Sequence, residues 1–269
     1  MTKIGFIGAG KIAHALMKGL LSSGAVTPSR IYASSNTEES LQKVKILGVN
    51  TCLDNLWTVK NSNITILAVK PLVFPKVLHE IAPAIGPDNV IVSLAAGVTI
   101  DSIQQRLPHH AKVVRAMLNT AVQIRDGAIS YSTGKNVEDP DQELVHRLFS
   151  SVGLTLEAEE KHLVAVMGLS GSGPAYFYLI LEALSDAGVR HGLSRDVSTR
   201  HASQAMLGAA RMVLESGRHP GELKDEVCSP GGVTIDAIYS MEKAGVRAAM
   251  MDAVDACIKR NYELSRLNE

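Results

Sequence analysis

Apolar residues are distributed in two different ways along the chain, and the change falls near residue 160. Before it, short runs without polar alternation recur: KIGFI at 3–7, RIYA at 30–33, NITILAV at 63–69, NVIVSLA at 89–95, KVVRAM at 112–117 and GAISYS at 127–132. Strands buried on both faces have this pattern, because neither side of the pleat meets water. Amphipathic stretches at 11–22, 38–47, 73–85 and 139–151 separate most of these runs. The alternation predicts a doubly wound α/β domain over residues 1–160, with a parallel sheet covered on both sides.

After about Lys161 the strand signal stops, and Ala, Leu and Met recur at spacings of three and four. The segment SGPAYFYLILEALSDAG predicts a helix with Ser172 as its cap, Pro174 in the first turn and Gly188 at the stop. Further helices are expected over 195–216, 234–244 and 246–267, so residues 161–269 are expected to form an all-α domain. Two helices, AYFYLILEAL and VRAAMMDAVDACI, are apolar on more than one face. A second copy of the chain would cover them and make this a dimerisation domain; packing on the first domain is the alternative.

Composition narrows the classes of partner. The 27 Lys and Arg balance the 27 Asp and Glu, so nothing in the charge favours nucleic acid or an anionic membrane. Cys52, Cys228 and Cys257 are far apart, and the histidines, including the His109–His110 pair, form no ligand spacing. Neither a disulfide framework nor a metal site is expected. The first strand begins almost at once, without a basic-flanked leader, and no apolar stretch approaches the roughly 20 residues that span a bilayer. The expectation is a cytoplasmic protein with a small-molecule partner and no membrane contact. GLSGSGPAY (168–176) lacks a G-x-S-x-G register, so it is not a hydrolase nucleophile elbow.

Candidate chemistry starts at the end of the first run, where Ile7 leads into Gly8-Ala9-Gly10-Lys11-Ile12-Ala13 and then a helical pattern. In such a GxGxxA turn the first glycine permits the bend, the second lets backbone approach a pyrophosphate, and the small third residue allows close helix–strand packing. A dinucleotide is the expected ligand. The second run ends in Ser34-Ser35-Asn36, where an NAD-selective site carries an acid to hold the ribose hydroxyls. Without that acid a 2′-phosphate is not repelled, which favours NADPH; Glu38 and Glu39 nearby and the lack of an arginine leave NADH open, and a polar cap for the next helix is the structural alternative. Ala68-Val69-Lys70-Pro71 and Ala95-Ala96-Gly97 end two further strands at the same expected crevice, and their small residues leave room for a flat cofactor.

Taken in order, GFIGAGKIAHAL, AVKP, SLAAGV, RAMLNTA, GLSGSGPAY and SPGGVT resemble the motif series of pyrroline-5-carboxylate reductases from residue 3 to about 265. The resemblance implies a Rossmann-type domain followed by a helical domain that interlocks with another subunit, within a homodimer or a larger ring such as a decamer. It implies NAD(P)H-dependent reduction of a cyclic imine to L-proline. It also implies cofactor contacts at 7–12, Ser34, Asn55, 68–71 and 95–97, with Asn119 at the nicotinamide end. The family's R-x-M-P-N-T-P is here Arg115-Ala116-Met117-Leu118-Asn119-Thr120-Ala121, without its two prolines, and Glu226 stands where some relatives are uncharged. Another imine substrate, or a non-enzymatic dinucleotide-binding scaffold, are the other readings of the same architecture.

The resemblance assigns substrate binding to the loop Ser229, Pro230, Gly231, Gly232, Val233 and Thr234. Such a loop can anchor a carboxylate, because glycines expose backbone N–H groups and the following helix presents its positive end. Thr234 would then meet the ring nitrogen. Its hydroxyl is too weak an acid to protonate an amine-like nitrogen unaided, so hydrogen bonding to an already protonated iminium, or relay from water, fits better. Capping the next helix is the structural role threonine could play there instead, or as well.

Overall fold

The computed structural model describes residues 2–266. Strands β1 (Ile4–Ile7), β2 (Ile31–Ser34), β3 (Asn50–Cys52), β4 (Ile64–Leu67), β5 (Val90–Ser93), β6 (Lys112–Leu118), β7 (Gly127–Thr133) and β8 (Gly153–Glu157) form one sheet in the order β3-β2-β1-β4-β5-β6-β7-β8. With it run helices α1 (Lys11–Ser22), α2 (Glu38–Lys45), α3 (Asn55–Lys60), α4 (Phe74–Ile81), α5 (Ile100–Gln104), α6 (Asp139–Ser150) and α7 (Leu163–Val166). Then come α8 (Gly173–Arg190), α9 (Arg195–Ser216), α10 (Pro220–Val227), α11 (Val233–Lys243) and α12 (Val246–Arg266).

Each predicted run became a strand. Side chains alternate across the pleat, so Phe6 packs on one face with Leu16 of α1 and Phe149 of α6, while Ile7 packs on the other with Val59 of α3 and Leu78 of α4. All six are 0–1 % exposed. Burying one such side chain stabilises the fold by about 1.5–3 kcal/mol, which explains why the strands tolerate no polar alternation. From β1 the chain moves outward to β2 and β3, then returns to β4 on the other side of β1. The connections leaving the carboxyl ends of β1 and β4 therefore lead to α1 and α4 on opposite faces of the sheet, and a crevice opens where they part.

Several local expectations are corrected. The sheet is not wholly parallel, since β7 runs antiparallel to β6. Residues 119–126 alone join them, and a parallel crossover needs about a dozen residues or more. Strands β3 and β8 lie at the two edges and were not predicted, because neither is a continuous apolar run. Short α3, α5 and α10 were likewise missed, since one or two turns give too few positions for a period. Ser172 does not cap α8: its backbone is already helical, and its hydroxyl lies 3.1 Å from Cys257 Sγ.

Cα packing divides the chain into one compact unit of 1–174 with 256–269 and a second of 175–255, whereas the sequence pattern changes near 160. In the second unit Gly188 does not end α8. A Cβ there would lie 1.9 Å from Ser198 Oγ, so this glycine is needed where α8 and α9 touch, and the helix runs on to Arg190. The helical stretch Glu160–Arg190 is also long and apolar enough, by length and composition, to cross a bilayer. The expectation that no apolar stretch approaches that length is thereby corrected: Gly and Ser at 168–173 interrupt the apolar run, while the helical path continues through a π-turn at Met167–Gly171. Phe177, Tyr178 and Leu179 leave about half or more of their surface uncovered.

Candidate active site

The turn after β1 is shaped by two glycines with different duties. Gly8 has φ +102°, and a Cβ there would lie 2.6 Å from the Ala68 carbonyl oxygen. It is therefore required by the approach of β4. Its N–H donates to Ser34 O at 2.8 Å, and Ala68 N–H donates to Ile7 O at 2.8 Å, so the ends of β1, β2 and β4 are tied at one point. Gly10 is the N-cap of α1 in extended conformation, with no side-chain cap, and a Cβ on it would have no neighbour within 4 Å. Nothing in the fold requires that glycine. What it leaves is a backbone cradle at a helix N-terminus, where unpaired N–H groups and the positive dipole end receive a phosphate. Ala13 is fully buried beneath it, as the GxGxxA reading requires.

A cleft of about 290 Å³ opens from this turn and brings together residues 7–10, Asn36, Asn55 and 68–70. Ser35, Thr37, Ser40, Val73 and Val77 complete its wall. Ser34 does not line it. Its side chain is fully buried and Oγ donates to Asn55 Oδ1 at 2.7 Å, while Asn55 Nδ2 donates to Glu80 Oε2 at 3.0 Å. Ser34 thus acts on the cleft through Asn55. Thr37 caps α2 by accepting from Ser40 N–H at 3.3 Å, so the polar-cap role holds for Thr37, while the exposed Asn36 faces the opening. Lys11 borders a neighbouring hollow with Gly10, and Ile12 lies half-buried in the first turn of α1.

Pro71 and Gly97 border a second cavity, of about 280 Å³, whose wall includes Arg115 of β6. Ala95 is buried and Ala96 half-buried at the end of β5, keeping that edge free of bulk. Asn119 is buried and committed elsewhere. Its Oδ1 accepts from Ala121 N–H at 3.2 Å and Ala128 N–H at 3.4 Å, and its Nδ2 donates to Ser170 O at 3.1 Å. It holds the 120–124 turn and the π-turn after α7. The cap on Ala121 uses an N–H that the family's proline lacks, so here the side chain takes over the stiffening.

In the second unit, residues 229–232 form a tight turn closed by Gly232 N–H to Ser229 O at 3.0 Å, with Gly231 at φ +65°. Proline second and a left-handed glycine third is the type II pattern. Gly232, not Thr234, is the N-cap of α11, and no side chain caps that helix. The capping role considered for Thr234 is therefore corrected: Thr234 is the second helical residue and half-buried, with its hydroxyl unused by the cap, beside an exposed Val233. Glu226 is held by Arg218 at 2.6 Å, which draws its carboxyl below the usual range. Among the described residues, no group of three His, Cys, Asp or Glu is placed to hold a metal ion.

The chain resembles known proteins along almost its whole length. It is 44 % identical to pyrroline-5-carboxylate reductase 2 of Bos taurus over 98 % of this chain and 84 % of that one. It is 43 % identical to the pyrroline-5-carboxylate reductase of Methanosarcina acetivorans over 98 % of both. The chain belongs to the pyrroline-5-carboxylate reductase family. A family model described as pyrroline-5-carboxylate reductase dimerisation matches residues 160–264, and one described as NADP oxidoreductase, coenzyme F420-dependent, matches 3–97. Among solved structures, the Plasmodium falciparum pyrroline carboxylate reductase with NADP bound is 30 % identical with a TM-score of 0.89, covering 98 % of each chain.

For a pyrroline-5-carboxylate reductase, sequence reasoning missed Thr37 and Ser40 in the cleft wall and the Glu160 partner of Arg115. Thr37 carried a local signal, a hydroxyl at the cap position of the helix that follows the second strand, and Ser40 carried none. No local signal points to Glu160, which meets Arg115 from 45 positions away.

Proposed function

We propose that the chain catalyses the NAD(P)H-dependent reduction of the cyclic imine 1-pyrroline-5-carboxylate to L-proline, the last step of proline synthesis. The observation that supports this reading best is the open Gly10 cradle at the start of α1, a glycine that no neighbouring atom requires. When bound, the reduced nicotinamide supplies the hydride for the imine carbon. Residues 7–12 hold the pyrophosphate on backbone N–H groups, while Asn36 and Asn55 meet the adenosine ribose and its phosphate; NADPH is the preferred cofactor and NADH an accepted one. Residues 68–71 and 95–97 flank the dinucleotide.

The chain's own work on the substrate falls to 229–234. The N–H groups of the turn and the first turn of α11 anchor the carboxylate, which fixes the ring. Hydride addition to the iminium carbon leaves a lone pair on the ring nitrogen; the Thr234 hydroxyl donates to it, and a hydrogen bond that strengthens as that lone pair develops favours the transition state over the bound imine. Ser34 serves the dinucleotide cleft through Asn55, and Asn119 holds the 120–124 turn.

A homo-oligomer follows from the dimerisation family. We place residues 161–269 in an interlocked homodimer, within a larger ring such as a decamer, where the exposed Phe177, Tyr178 and Leu179 would be covered. The three free cysteines fit a cytoplasmic enzyme. Mixing the protein with pyrroline-5-carboxylate and NADPH or NADH and following loss of the reduced cofactor's absorbance tests the reading. Turnover with formation of proline is expected; inactivity with both cofactors sinks it.

A further inference from the structure

We infer that Arg115 and Glu160 are a positioning pair for the loop carrying Ala95, Ala96 and Gly97, holding it in the shape that receives the dinucleotide; this rests on the reductase reading above. Arg115 projects from β6 with a side chain 4 % exposed, and its Nη1 lies 3.0 Å from Glu160 Oε1. The same oxygen accepts the Ile100 N–H at 2.8 Å. Ile100 opens α5, and the N–H of a first helical residue has no acceptor within its own helix. The loop is thus fixed at one end by β5 and at the other by a carboxylate brought from residue 160.

The location argues for more than packing. Gly97, which turns the loop with φ +73°, shares the wall of the 280 Å³ cavity with Arg115, Val98, Thr99 and Pro71. Arg115 therefore shares a wall with one residue of each strand-end segment, Pro71 and Gly97. A helix start needs no buried charge to be stable, and Thr99 already supplies an ordinary cap by accepting from Ser102 N–H at 3.2 Å. Burying a guanidinium is costly unless it is paired. Here Nε is sealed from solvent without a partner, so the side chain depends on Glu160 for its orientation. Loss of either partner leaves an uncompensated charge and releases the start of α5. The loop then shifts where the cofactor is received, while Thr234 and the 229–234 turn are untouched.

The test uses the intact protein with Glu160→Ala, Glu160→Gln, Arg115→Ala and Arg115→Lys. NADPH affinity is measured by titration of the cofactor's fluorescence, beside KM for each substrate, kcat and Tm. For Glu160→Ala a roughly tenfold rise in both Kd and KM for NADPH is expected, with kcat within about twofold of the parent. Glu160→Gln keeps an acceptor for the Ile100 N–H and loses less, and Arg115→Lys recovers part of what Arg115→Ala forfeits. Folded variants with a lowered Tm but unchanged NADPH affinity would overturn the inference. Should the alanine variants fail to fold, Glu160→Gln and Arg115→Lys decide by the same reading. If the parent binds NADPH but does not reduce the imine, the reductase reading fails while the affinity comparison still tests this pair.

Discussion

Ser34 Oγ donates to Asn55 Oδ1 across 2.7 Å, with both side chains buried, so the residue at the end of the second strand faces inward and leaves Asn36 to face the cleft. An acid at the opening would accept the ribose hydroxyls and repel a 2′-phosphate. Asn36→Asp is therefore expected to lower kcat/KM with NADPH by about tenfold or more, while NADH is affected little. The ratio of the two specificity constants is the measurement, and an unmoved ratio rules out Asn36 as a neighbour of that phosphate.

The two turn glycines separate folding from binding. Gly8→Ala places a Cβ against the Ala68 carbonyl in a left-handed backbone and should cost at least about 2 kcal/mol of stability. Gly10→Ala meets no atom within 4 Å and should leave Tm unchanged, but it fills the cradle and should raise the Kd for NADPH about tenfold. Denaturation curves and cofactor titrations of the pair check both halves; a destabilised Gly10→Ala with normal affinity would reverse the assignment.

Because Gly232 rather than Thr234 caps α11, removing the threonine hydroxyl should barely touch the fold. Thr234→Ala is expected to lose about 1.5–3 kcal/mol of transition-state stabilisation, or about 10- to 100-fold in kcat/KM, with stability within about 0.5 kcal/mol. Thr234→Ser keeps the hydroxyl and should retain most activity. A loss below about twofold in a folded Thr234→Ala removes the residue from the chemistry.

Leu179 exposes 68 % of its surface beside exposed Phe177 and Tyr178 on α8. A buried, unpaired carboxylate at a subunit contact is strongly unfavourable. Leu179→Asp should shift sedimentation toward a smaller species at equal protein concentration. An unaltered sedimentation profile places the dimer face elsewhere.

Lys112 at the start of β6 lies 2.8 Å from Asp141 Oδ2 and 3.5 Å from Glu138 Oε2 at the start of α6. The hydrogen bond to Asp141 is the main reason its ammonium titrates above the ordinary lysine value. A raised folded pKa contributes stability that is complete below the unfolded value, about 10.4, and is lost as pH rises through the folded one. Lys112→Met should therefore lower Tm at neutral pH, and the deficit should close in strong alkali. Melting curves across that range test it, and a deficit that persists at the alkaline end points to packing instead.

Much of this protein was legible in the sequence. The six interior strands, the glycine turn after β1 and the change to helices near residue 160 were readable because each rests on a local rule: two-sided burial, positive φ, or the helical period. The SPGG turn was visible as a helix-breaker for the same reason. What only the tertiary structure decided depends on neighbours distant in sequence. Whether Ser34 faces the cleft or Asn55, whether Gly188 ends a helix or admits Ser198, and whether Asn119 points to a cofactor or holds Ser170 are choices made by packing. The antiparallel β7 stands between these cases, since the short 119–126 link dictates it, but only once both strand ends are known. Thr234 lost its capping role because the chain enters α11 two residues earlier, a matter of backbone geometry that no property of threonine discloses.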